Sequence, residues 1–134
     1  MPYEVSFKKV VEPSERDLYI NDCCIGGDVV SARLLPSIHQ RYEDIQAEQE
    51  DWGWFIWFRK GRADLAIDIF CDDPSSGCFR IHLTSHERRF LFGSHVVDTD
   101  ELEELKGLVL SLLGDWGASD IQTKRLDARF MPLE

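Results

Sequence analysis

Hydrophobic and polar positions alternate at the start of the chain, where Tyr3, Val5 and Phe7 are interleaved with Glu4, Ser6 and Lys8. A period of two is the mark of a half-buried strand. Pro13 breaks the pattern, Leu18, Tyr19 and Ile20 suggest a second, shorter strand, and residues 21–28, with adjacent glycines, read as a loop. From 34 to 49 the period lengthens. Leu35, Ile38, Tyr42 and Ile45 recur at spacings of three and four and so share one helical face. Pro36 is compatible with this helix only near its first turn, and the run from Tyr42 onward, YEDIQAEQED, reads as its solvated acidic half.

Three strands are expected next, over 52–59, 63–71 and 77–85, joined by Lys-Gly-Arg at 60–62 and by a loop containing Asp73-Pro74. Both connections carry turn chemistry. Residues 88–92 (RRFLF) could add a fourth strand before Gly93. The second helix carries its own start and stop signals. Asp98 is placed as N-cap with Glu101 three residues on, and Val97 and Leu102 fit a hydrophobic staple. Leu102, Leu105, Val109, Leu112 and Trp116 form its apolar stripe, and Gly117 is placed to end it. A last strand is expected over 121–129. The pattern predicts one α+β domain over residues 1–134: a mainly antiparallel sheet of about five strands with two long amphipathic helices packed on one face.

Strand register sorts the side chains between faces. A turn at Lys60-Gly61 would pair Arg59 with Arg62, Trp57 with Asp64 and Phe55 with Ala66. A loop over 72–76 would pair Cys71 with Gly77 and Ile69 with Phe79, leaving Asp68 opposite Arg80. One face then collects Trp54, Ile56, Phe58, Leu65, Ile67, Ile69, Phe79, Ile81 and Leu83, with Trp52 assigned to the core by the same alternation. The other collects Phe55, Trp57, Phe70, Asp68, Arg80, His82 and Thr84. Aromatics mixed with Arg are the residue types enriched at interface hot spots.

Composition narrows the function classes. The chain has 134 residues, 43% hydrophobic and 30% charged, values ordinary for a folded domain. Fifteen basic against 25 acidic residues give a formal charge of −10, which disfavours nucleic acid or an anionic membrane as partner. No apolar stretch approaches the roughly 20 residues of a membrane span. The first eleven residues lack the apolar region of an export signal, so a cytoplasmic protein with reduced Cys23, Cys24, Cys71 and Cys78 is expected. Six residues separate Cys71 from Cys78, which does not match zinc-ligand spacing. No phosphate loop or nucleophile elbow is present, and no cofactor is expected.

Two function classes remain. The first is a non-enzymatic protein-interaction module that self-associates, as in a homodimer, or binds a basic partner. Its contact residues would be Phe55, Trp57, Phe70 and Arg80, with Asp68 orienting Arg80. The second is a small-molecule enzyme using His82 and Asp68 as an acid–base pair on the same face. A concave, partly dry site would favour the second; a flat face would favour the first.

Overall fold

Four antiparallel strands follow one another through tight turns and run from one edge of the sheet into its middle. The computed structural model describes residues 2–89, 93–96 and 99–133. In chain order the elements are β1 (Tyr3–Lys8), α1 (Gly27–Arg41), β2 (Glu43–Glu50), β3 (Gly53–Lys60), β4 (Ala63–Asp73), β5 (Cys78–Arg89), β6 (Gly93–Val96), α2 (Asp100–Asp115) and β7 (Ser119–Arg125). The strands form one seven-stranded sheet in the order β2-β3-β4-β5-β1-β7, with β6 paired to the far end of β5. Every pairing is antiparallel. The two strands beyond the expected five are β2 and the four-residue β6.

Both helices lie on the same side of the sheet. Val30, Leu34 and Ile38 of α1 and Leu102, Leu105, Val109 and Leu113 of α2 join Ile56, Phe58, Leu65, Ile67, Ile69, Phe79, Ile81 and Leu83 in one buried cluster. The expected core face is therefore present. Trp54 packs against it from a partly buried position, and in α2 it is Leu113 that is fully buried while Leu112 and Trp116 lie at the margin.

The largest correction concerns the first helix. It begins at Gly27 and ends at Arg41, where Tyr42 turns extended, and the acidic run 43–50 is strand β2 rather than a helical face. Glu, Gln and Ala favour helix intrinsically, but pairing with β3 overrides a preference worth only tenths of a kcal/mol per residue. The buried α1 positions, Gly27, Val30, Ser31, Leu34 and Ile38, are set by where the helix meets the sheet. Pro36 sits inside α1 on its exposed side, where its missing N–H removes one helical bond without touching the core. As an edge strand β2 is blunted by charge and by a bulge near Asp44, whose φ is +54°.

Smaller differences follow the same logic. The suggested strand at 18–20 is instead a short 3-10 turn, Arg16–Leu18, followed by buried Tyr19, whose hydroxyl donates to Asp28 Oδ1 at 2.6 Å. Residues 88 and 89 continue β5; 90–92 fall outside the described residues, as do Val97 and Asp98 with the staple and cap expected there. The N-cap of α2 is Thr99, whose Oγ1 accepts from Leu102 N at 3.0 Å. Gly117 takes a left-handed φ of +84° just past the end of α2, as its position predicts.

Candidate functional site

The face turned away from the helices is organised in rows across the strands. Gln46, Trp57, Ala66 and Thr84 form one row. Glu48, Phe55, Asp68, His82 and Glu4 form the next. Arg59, Asp64 and His86 form a third. The expected sorting of side chains between faces holds, but the pairings differ. Lys60 faces Ala63 across Gly61-Arg62, so Trp57 lies opposite Ala66 and Phe55 opposite Asp68. In the second hairpin a bulge between Phe70 and Asp73 places Asp68 opposite His82 and Phe70 opposite Arg80. Both changes move a strand by an even number of residues, which preserves its faces.

The consequence is a different set of partners. Arg80 donates to both carboxylate oxygens of Asp72, at 2.8 and 3.1 Å, and reaches Glu4 at 3.4 Å; it does not pair with Asp68. Its guanidinium also lies over the Phe70 ring, 4.6 Å from the centroid. His82 Nε2 lies 3.1 Å from Glu4 Oε1, so the carboxylate beside the histidine is Glu4 rather than Asp68. His82 is only 7% exposed. Phe130 stacks on its ring at 5.4 Å and Phe70 meets it edge-on at 4.8 Å. Burial pushes the His82 pKa below its ordinary value, with Glu4 opposing the shift.

Phe130 reaches His82 because the chain after β7 folds back. Asp127 N–H donates to Met131 O at 2.8 Å, and the Asp127 carboxylate accepts from the N–H groups of Arg129 and Met131 at 2.8 and 3.0 Å. This turn holds Phe130 with a left-handed φ of +64°.

Beside the covered histidine the face is open. A cleft of about 610 Å³ lies over Asp68 and Thr84, walled by Trp52, Trp57 and Phe130. Its size falls in the range usual for small-ligand sites, roughly 300–1,000 Å³. The Asp68 carboxylate makes no hydrogen bond or ion pair with any of the described residues, and burial pushes its pKa up to about 6. Thr84 is 2% exposed and its hydroxyl has no hydrogen-bond partner among the described residues. At the rim, Arg59 bridges Asp44 at 3.0 Å and Asp64 at 3.4 Å. Polar groups withdrawn from solvent are nearly always satisfied, so a half-buried carboxylate and a buried hydroxyl without partners on one cleft floor form an unusual pair.

The sequence-derived contact residues divide among three settings. Trp57 is 51% exposed and lines the cleft. Phe55 is buried beneath it, with ring centroids 4.6 Å apart, and serves as support. Phe70 and Arg80 belong to the His82–Glu4 side. Trp52, assigned to the core by alternation, instead stands in the β2–β3 turn and packs on Phe70 at 5.2 Å. Register alone puts Thr84 on this face, but nothing local marks it as unsatisfied. Phe130 carries no pattern that would bring it here.

Among the described residues no three His, Cys, Asp or Glu side chains are grouped to hold a metal ion. No helix among them is long and apolar enough to cross a membrane. Compared with protein-family models, curated proteins and solved structures, the chain matches none.

Proposed function

We propose that this protein binds a small ligand in the cleft over Asp68. The observation that carries the reading is the unpartnered carboxylate itself, held half-buried at the base of an aromatic-walled cleft rather than on the solvated surface. A carboxylate whose pKa lies near 6 is poised for proton exchange as well as for binding, and perturbed groups of this kind concentrate at functional sites. If the ligand reacts, Asp68 and His86 are the acid–base groups that line the cleft; His82 is stacked under Phe130 and engaged with Glu4. The four cysteines carry free thiols, which suits a reducing cytoplasm.

The test is a fragment screen by NMR on protein with labelled indole nitrogens. Fragments that occupy the cleft shift the Trp52 and Trp57 signals and leave Trp116 unmoved. A screen in which no fragment moves either signal overturns the reading.

A second reading rests on Trp57, whose half-exposed indole would serve as an anchor for a second copy of the chain or for a basic partner protein. On this reading Trp57→Ala lowers association, measured by sedimentation velocity, while the fold survives. A monomer with unchanged sedimentation in both forms removes self-association.

A further inference from the structure

We infer that the cleft takes an organic ammonium group, seated against Asp68 and Thr84 with its apolar body between Trp52, Trp57 and Phe130. The inference rests on the ligand-binding reading above and names the chemistry of the ligand.

Two oxygens on the floor lack a partner among the described residues. Asp68 offers a carboxylate that no described residue pairs with, and Thr84 offers a hydroxyl left without a partner. The Thr84 oxygen is itself closed off from solvent, so an ammonium group meets Asp68 first and reaches Thr84 only when that side chain turns. An ammonium group carries several N–H donors and a full charge. It therefore satisfies two acceptors at once and neutralises a partly desolvated anion, which a neutral donor does not.

The walls favour the same charge. Aromatic faces attract cations by about 0.5–2 kcal/mol, the more so where water is excluded. An anionic ligand finds less here, because the guanidinium at the rim, Arg59, is already held between Asp44 and Asp64. The chain's formal charge of −10 adds a field that concentrates cations around the whole molecule. The volume of about 610 Å³ admits a whole small amine as readily as the end of a lysine side chain. The two sources share one chemistry.

The experiment titrates 2-phenylethylamine and its neutral counterpart 2-phenylethanol into the labelled protein at pH 7.5 and follows the Trp52 and Trp57 indole signals. The amine is expected to bind at least tenfold more tightly than the alcohol. Asp68→Asn should remove that preference, with a tenfold or greater loss of amine affinity, while the amide spectrum remains that of a folded protein. Thr84→Val, close in shape, should weaken the amine several-fold. A lysine tripeptide with blocked ends is titrated in parallel. Tighter binding of the peptide assigns the ammonium to a partner protein, and tighter binding of the free amine assigns it to a small molecule. Equal binding of amine and alcohol, or amine binding unchanged in Asp68→Asn, overturns the ammonium inference while leaving a ligand cleft standing. If neither compound moves the indole signals, the ammonium inference falls, and the fragment screen decides the cleft reading separately.

Discussion

Asp68 has a cost that can be measured. Its folded pKa of about 6 stands above the ordinary value of 3.8, so between those values the folded chain holds a proton that the unfolded chain has released. Stability from this group is greatest below about pH 4 and falls as pH rises through 6, by up to about 3 kcal/mol for a shift of this size. Asp68→Asn removes the charge, and an expected gain of about 1–2 kcal/mol at pH 7.5 should shrink toward zero near pH 4.5. Urea unfolding of both proteins at the two pH values checks this. His82 acts in the opposite sense: its lowered pKa contributes stability that is present above 6.5 and lost as pH falls. It is common to both proteins and cancels in the comparison. Phe55 and Trp57 make a second pair of opposites on one strand. Phe55→Ala, at a buried site, should cost about 3 kcal/mol, whereas Trp57→Ala should cost about 1 kcal/mol or less. Equal losses in denaturant unfolding would make Trp57 part of the core.

At the scale of elements, the docking of α1 on the sheet turns on the absence of a side chain. A Cβ at Gly27 would lie 2.0 Å from Trp54 Cδ1. The indole is fixed there by its Nε1–H, which donates to Cys24 O at 2.8 Å. Gly→Ala inside a helix ordinarily gains about 0.5–1 kcal/mol. At Gly27 the clash should reverse the sign and cost about 1–3 kcal/mol. Gly107 in α2 is the internal control, because a methyl group there would meet nothing within 4 Å and Gly107→Ala should gain the ordinary amount. Thermal unfolding of the two variants should move in opposite directions. The same helix explains why its start is hard to read. Two glycines in sequence signal a loop by propensity, and only the indole lying against Gly27 requires a residue without a side chain at the start of the helix.

Across the whole molecule, the C-terminal turn joins the last strand to the open face. Phe130 contributes one wall of the cleft and covers His82. Phe130→Ala should therefore let water reach the imidazole and raise its pKa toward the ordinary value, read from the histidine ring signals in an NMR titration. The loss of the stacked pair should cost about 0.5–1.5 kcal/mol of stability. An unchanged His82 titration would mean that Phe70 and Glu4 alone set its environment. The negative charge is distributed to suit this arrangement. Glu43, Asp44, Glu48 and Glu50 lie along the β2 edge, where they discourage pairing with another sheet.

Alternation and spacing alone determined the strands β1, β3, β4 and β5, the membership of both sheet faces apart from Trp52, the body of α2 and its stop at Gly117. These follow from periods of two and 3.6 that local geometry imposes on any chain with one buried face. Tertiary structure decided the rest. It made a strand of the helix-favouring run 43–50 by pairing it with β3. It moved both hairpin registers by even steps, which burial does not oppose because the faces stay the same. That step separated Asp68 from Arg80 and left it without a partner. It also brought Phe130 from the far end of the chain onto His82, turning a mixed sheet face into a walled cleft. Spacing records which way a side chain points; whether it finds a partner depends on residues distant in sequence, and the cleft over Asp68 is made of that difference.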